Sequence, residues 1–490
     1  MDQLIFDFNN MFSLNVGSEH GVEPSELKEM DELVKKAHEN FRAVIDNPVN
    51  RVNVGLEWVK LPYQDGKNIN QIQNLGREIA FKYESVISLG IGGSYLGLKA
   101  AQDALCAPYF NEFSGFNKNR PKIYFEGNNL DPESLSVLLK KLNPKKTFVI
   151  VISKSGETTE TKVAFEVVEN WLKKGVGKKF GRQIFAITDP QSGTLRKRID
   201  AEQSKDTLSF KNLSLLKGVG GRFSEFNMGL LHLAIVGISI KEVLSGAGAM
   251  EKRCSLGSLY TNPAYMYAVL HTIMYRKKNK SISILMPFSE MLKSTADWYS
   301  QLLAESLGKK YGRKINIDSD GSISWINDKT RVVNVGRTPV PARGTNDLHS
   351  IQQNNIEGEY DKVVTFIKVE KFKNDIKLPK SEDIFSGKKY SELLSLAQEA
   401  TEWALVMEKR PNCTIIMPKI TPFHWGELLF FFEMATAFEG ELLDINAFDQ
   451  PGVEGYKNYM YFKLKKPGLS PLIANEIKNN PLVKMKEFYL

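Results

Sequence analysis

The chain has 490 residues, 42% of them hydrophobic and 25% charged, with a formal net charge of +8. This composition excludes a disordered chain, a fibre and a small disulfide scaffold, and the length suits two large α/β domains or three smaller ones. The basic residues are spread out and carry no zinc-finger or aromatic RNA-binding signature, so the charge serves solubility and draws in small anions rather than nucleic acid.

Residues 1–80 read as a helical lead-in, with helices at 32–45 (ELVKKAHENFRAVI) and 73–83 (QNLGREIAFKY) around a turn at 61–68. The pattern then changes. Short apolar strands at 85–90, 122–127, 147–153 and 183–188 alternate with helices at 94–105, 132–142 and 158–174. The last of these helices repeats Val163, Val167 and Trp171 every four residues. After a turn at Asp189-Pro190, helices over 226–245 close a first domain spanning 81–250. A second alternation fills 251–450, with strands at 281–288, 363–369 and 413–418 and helices at 292–308, 391–409 and 426–443. Gly308 stands past the end of helix 292–308 as its expected cap. Residues 370–390 form a basic surface excursion, and 451–490 a helical tail. Such alternation predicts an α/β fold of mainly parallel sheets covered on both faces.

Cys106, Cys254 and Cys413 are far apart and form no CxxC, which suits a reducing compartment, the cytoplasm, and no structural zinc. The opening MDQLIFDFNN lacks the basic and apolar regions of a signal peptide. No stretch reaches the ~18 apolar residues that a membrane span needs.

Three segments carry chemistry. Gly90-Ile91-Gly92-Gly93-Ser94 sits where a strand gives way to a helix, so the backbone can turn tightly and approach a ligand. Tyr95 occupies the third glycine position of a dinucleotide fingerprint, which argues against NAD. Ser153, Lys154, Ser155 and Thr158 gather hydroxyls and a cation ahead of a strong helix, a setting for a phosphate dianion. Thr158 equally suits the N-cap of that helix. In Gly220-Gly221-Arg222, paired glycines hold an arginine whose planar fork can meet developing negative charge. Of the six histidines, His20, His38, His232, His271, His349 and His424, His232 and His271 lie in apolar helical patterns and read as structural, and His349 and His424 are the candidates for acid–base work.

Taken together, GIGGS (90–94), SKSGETTET (153–161), GVGGRFS (218–224), AESLGK (304–309), GTNDLH (344–349) and DQPGVEGYK (449–457) resemble the glucose-6-phosphate isomerase family, in its usual motif order. The resemblance implies two stacked three-layer αβα sugar-isomerase (SIS) domains and aldose–ketose isomerisation of hexose 6-phosphates through a cis-enediolate, with no metal and no cofactor. It assigns Glu305 as the carbon base, His349 to ring opening in the neighbouring subunit of a homodimer, and Lys457 and Arg222 as further catalytic groups. Gly93, Ser94, Ser153, Lys154, Ser155, Thr158 and Gln450 match its substrate contacts. From the residues alone, Glu305 lies in the last turn of helix 292–308, where the negative end of the helix dipole favours proton uptake. Tyr95, Ser155 and Gly156 depart from the family's commoner residues. A non-catalytic sugar-phosphate sensor would have no need of Glu305, His349 and Lys457, whereas an isomerase that also takes mannose 6-phosphate would share most of these residues.

Overall fold

The computed structural model describes residues 3–113, 120–203 and 210–490. Positions 1–2 of the expected lead-in, and 114–119 and 204–209 of the expected first domain, lie outside the described residues. Residues up to Phe448 form one compact unit, and Asp449–Leu490 form a second.

The lead-in holds a strand, β1 (Ile5–Asp7), as well as helices α1 (Asp31–Asp46) and α2 (Gly66–Lys82). In α1 the apolar residues Val34, Ala37, Phe41, Val44 and Ile45 repeat at three- and four-residue spacing and are buried. α2 starts well before position 73, because Asp65 caps it by accepting from the Lys67 N–H at 3.2 Å.

The first sheet contains β2 (Ser85–Leu89), β3 (Lys122–Glu126), β4 (Thr147–Ile152), β5 (Ile184–Thr188) and β6 (Lys211–Ser214). All are parallel, in the order β3-β2-β4-β5-β6. β2, β4 and β5 are buried along their whole length, as continuous apolar runs in a doubly covered sheet should be. The side chains of β4 alternate: Phe148 and Ile150 join one core cluster, Val149 and Val151 the other. Helix α3 (Leu96–Leu105) sends Leu98 into the first cluster. Helices α4 (Pro132–Lys141) and α5 (Thr159–Val176) cover the opposite face. Strand order therefore reverses between β2 and β4, which opens a crevice at their carboxyl ends. Helix α6 (Thr194–Gln203) links β5 to the last strand, which the sequence reading missed. In α5 the buried face runs through Ala164, Phe165, Val168 and Leu172, whereas Val163 and Val167 are each 46% exposed.

Helices α7 (Leu230–Val236), α8 (Ile240–Cys254) and α9 (Pro263–Lys277) lead to the second sheet. That sheet holds β7 (Ile282–Pro287), followed by helix α10 (Lys293–Leu307) and the hairpin β8 (Lys309–Ile317) and β9 (Ile323–Val335). It is completed by β10 (Thr338–Pro341), β11 (Lys362–Lys371) and β12 (Asn412–Lys419), in the order β1-β12-β11-β7-β10. Only β1 runs antiparallel in it, pairing Ile5 with Ile416. Helices α11 (Tyr390–Met407) and α12 (Pro422–Leu442) complete this part of the chain. α12 is buried almost throughout and anchors a core with Trp298, Leu302, Phe430 and Phe432. The second unit contains helices α13 (Glu454–Lys463) and α14 (Pro471–Asn479). Among the described residues no helix is long and apolar enough to cross a membrane, and all three cysteines are buried and unpaired.

Candidate active site

The crevice between β2 and β4 is built by three loops. The Gly90 N–H donates to the Glu126 carbonyl at 3.1 Å, tying the loop after β2 to the end of β3. A Cβ on Gly127 would lie 3.4 Å from Thr161 Cα and 3.5 Å from Gly90 N, so the loops after β2 and β3 meet the first turn of α5. Gly92–Ser94 forms a 3-10 turn that packs on a second one, Gly221–Phe223. At Gly93 the approach is close: a Cβ would stand 2.3 Å from the Gly221 carbonyl and 2.7 Å from Arg222 N. Both neighbours are backbone and cannot swing away. Gly93→Ala is expected to destabilise the fold by about 1–3 kcal/mol, read as a lower urea midpoint, and to lower kcat by displacing Arg222.

Arg222 is buried and aims its guanidinium at α10. Its Nε donates to Ser306 Oγ at 2.8 Å, its Nη2 to the Ala447 carbonyl at 2.6 Å, and its Nη1 to Glu305 Oε2 at 3.2 Å. The Arg222 side chain is 1% exposed and that of Glu305 28%, so a buried cation is fixed beside a carboxylate that solvent reaches. The dipole reading of Glu305 had no place for this counter-charge. Lys309 Nζ donates to the Glu305 carbonyl at 2.8 Å and so satisfies one of the free carbonyls at the end of α10. Gly308 follows with φ −72°, so it is no left-handed cap; a Cβ there would stand 2.7 Å from the Ala304 carbonyl oxygen.

The sequence reading overlooked Gln301. Its Nε2 donates to Glu305 Oε1 at 3.0 Å, one turn away on α10, and a Cβ on Gly92 would come within 2.8 Å of the same nitrogen. The four-residue spacing from Glu305 was the available signal. The Gly92–Ser94 turn, Arg222, Gln301 and Glu305 thus form one cluster, with Ser94 half-buried at the start of α3.

The loop after β4 is self-supporting. Ser153 Oγ accepts from the Gly156 N–H at 3.0 Å and Ser155 Oγ from the Glu157 N–H at 3.1 Å, which leaves both hydroxyl hydrogens to donate. Gly156 has φ +72°, and a Cβ would stand 2.4 Å from Leu195 N, which accounts for glycine here. Thr158 is the N-cap residue of α5, as expected, yet its side chain makes no capping bond. Lys154 and Ser155 are exposed, and Ser153 is buried.

The histidines separate cleanly. His424 is buried in the first turn of α12, its Nδ1 2.7 Å from the Oγ1 of the capping Thr421. His232 Nε2 lies 2.8 Å from Ser88 Oγ, and burial pushes this ring down to about 4. His271 Nδ1 accepts from Arg337 at 3.2 Å, and burial followed by the Arg337 charge keeps it neutral. His349 ends a short 3-10 turn after β10, exposed and without a hydrogen-bond partner among the described residues. The structure does not place it in the Glu305 cluster of the same chain. In the second unit, Gln450 precedes the 3-10 turn Pro451–Val453, and Lys457 Nζ donates to Glu454 Oε1 at 2.8 Å. Among the described residues no group of three His, Cys, Asp or Glu side chains is placed to hold a metal ion.

The phosphoglucose isomerase family model matches residues 76–467. A glucose-6-phosphate isomerase of Carboxydothermus hydrogenoformans is 37% identical over 99% of this chain and 98% of its own length. One from Symbiobacterium thermophilum is 34% identical over 91% of this chain and 94% of its own. Among solved structures, a hypothetical protein of Thermus thermophilus aligns with a TM-score of 0.78 at 30% identity, over 94% of this chain and 100% of that one. A glucose-6-phosphate isomerase of Chlamydia trachomatis aligns with a TM-score of 0.75 at 20% identity, over 98% and 91%, which shows a common fold. With a family match across most of its length and a relative this similar from end to end, the chain belongs to the phosphoglucose isomerase family.

Proposed function

We propose that this protein interconverts glucose 6-phosphate and fructose 6-phosphate, with Glu305 moving a proton between C2 and C1. The observation that carries this reading is the Glu305 carboxylate held 3.2 Å from a buried arginine beside the Gly92–Ser94 turn. In this reading the phosphate binds the hydroxyls of Ser153, Ser155 and Thr158, with Lys154 and the amino end of α5 adding positive charge. Gly93 and Ser94 contact the sugar. Binding energy at the phosphate, remote from the reacting carbons, orients the open chain. Glu305 takes the proton from C2 of the aldose and leaves an enediolate, whose oxygen charge Arg222 holds. The same carboxyl then delivers the proton to C1. Gln301 fixes the orientation of the carboxylate. Lys457 and Gln450 enter on the family match of their motif alone.

Ring opening falls to His349, acting in the site of a second copy. Two observations support this. His349 is exposed and has no partner among the described residues. On α11, Leu396, Trp403 and Met407 are 54%, 65% and 58% exposed along one face, an apolar stripe suited to a homodimer contact. The same reading divides the chain into stacked α/β domains over 81–250 and 251–450, the first holding one five-stranded sheet and the second four strands of the other, whose fifth, β1, comes from the lead-in, and places the chain in the cytoplasm.

The test is direct. Fructose 6-phosphate is added to the purified protein, and glucose 6-phosphate is followed with a coupled dehydrogenase, with and without a chelator. Rapid conversion that the chelator leaves unchanged is expected. Binding of fructose 6-phosphate without conversion would replace this reading with a sensor.

A further inference from the structure

Helix α12 carries four glutamates into the protein interior, and two of them are paired with arginines. Glu439 accepts from Arg337 at 2.9 and 2.6 Å and Glu441 from Arg313 at 2.9 Å, whereas burial raises Glu427 to about 7 against the charge of Arg253. Glu433 is different. It is completely buried, and the group that acts on it is the carboxyl of Glu225, which is also buried. Glu225 Oε1 accepts from Trp298 Nε1 at 2.8 Å. Its Oε2 and both oxygens of Glu433 have no donor among the described residues.

Two bare carboxylates cannot share such a place. Each would lose its water, find no counter-charge and repel the other. A proton on one of them converts the repulsion into an O–H···O hydrogen bond and engages two of the three orphaned oxygens. Burial raises both groups, Glu225 to about 7, and the charge of Glu225 raises Glu433 further.

The pair also occupies a mechanical joint. Glu225 follows Arg222 by one helical turn of chain. Trp298 precedes Glu305 by two turns on the same face of α10. Gly97, at the start of α3, lies so close that a Cβ would stand 2.3 Å from Glu225 Cγ. One carboxyl thus touches all three segments that carry Gly93, Arg222 and Glu305.

We propose that Glu225 and Glu433 share a proton at neutral pH and that this hydrogen-bonded pair positions Arg222 and Glu305 against each other. Both are positioning residues. The inference rests on the proposed isomerase activity for its kinetic part only. The groups facing the pair are few: the Trp298 indole on α10, the backbone of Ser224 and Glu225, and the two carboxyls themselves. The cation of the site, Arg222, is directed to Ser306, Glu305 and Ala447.

The sign of the pH dependence follows. The folded protein holds protons that an unfolded glutamate releases near pH ~4.3. This contribution to stability is complete below that pH; the share of Glu225 is lost as pH rises through about 7, while Glu433, which burial and the Glu225 charge raise, keeps the shared proton. Infrared spectroscopy of the wild-type protein at pH 7 should show protonated-carboxyl C=O absorption, and Glu433→Gln should remove the component of the shared proton while leaving that of Glu427, which burial raises to about 7. The amide of that variant donates to Glu225 but cannot titrate. It should keep kcat within about threefold at neutral pH and abolish the alkaline fall of kcat and of Tm that loss of the shared proton causes, whereas Glu433→Leu should lose about tenfold in kcat with KM unchanged. Absence of such absorption in the wild type would overturn the shared proton, whether or not any variant folds. An unchanged pH profile in Glu433→Gln would overturn the positioning role. The absorption and the Tm profile need no turnover, so they stand apart from any failure of the isomerase assay.

Discussion

Glu305→Gln is expected to lower kcat for hexose 6-phosphate isomerisation by about 10³-fold or more, the scale of a lost general base. The amide is nearly isosteric, so α10 should fold as before. It keeps an oxygen to accept from Arg222 but has no carboxylate to accept a proton from carbon. Binding of a phosphorylated ligand should survive, because the loop at 153–158 is held by its own bonds from Gly156 and Glu157. A single-turnover experiment separates the two steps: fructose 6-phosphate binds, and no glucose 6-phosphate forms. Turnover like that of the wild type would remove Glu305 from the mechanism.

Arg222→Lys should be nearly as damaging, although the charge is kept. The guanidinium serves Ser306, Ala447 and Glu305 at once, through three nitrogens held in one plane. An ammonium cannot reach all three. We expect kcat to fall about 10²–10³-fold, as when one oxyanion donor is removed. Stability should fall by about 1–3 kcal/mol, because the Ala447 carbonyl or the Ser306 hydroxyl is left unpaired in the interior. Denaturant unfolding and steady-state kinetics on the same preparation check both. If KM rises while kcat holds, Arg222 binds substrate without stabilising the enediolate.

The first sheet and the site turns are legible in the sequence because their physics is local. SVISL, TFVIVI and IFAIT are short, mostly apolar runs without the alternation of a half-exposed strand, as a doubly covered parallel sheet requires. The glycines at 92 and 93 mark a real close approach of two backbones, with Arg222 on the far side. The elements that escaped are edge strands and exposed ribbons. β10 is Thr-Pro-Val-Pro at the rim of its sheet, where a missing N–H costs little and no apolar run announces it. β8 and β9 form a largely solvent-facing hairpin whose alternating polar residues resemble a loop. The four-residue repeat of Val163 and Val167 pointed to the wrong face of α5, because partly exposed valines also line the groove against α4. Nothing local distinguishes Glu433 from Glu439 or Glu441. Their partners come from distant positions in the chain, and only the fold shows which carboxyl meets a cation and which meets another carboxyl.

The most direct test of the account follows the proton itself. Fructose 6-phosphate is incubated with the wild-type protein in deuterium oxide, and the glucose 6-phosphate formed is examined by proton NMR at C2. An enediolate route through an exchangeable carboxyl predicts deuterium at C2 in a substantial share of product, and neither product nor exchange with Glu305→Gln. Conversion that never incorporates deuterium would mean that hydrogen moves directly between the carbons as hydride, and the role assigned to Glu305 would be wrong.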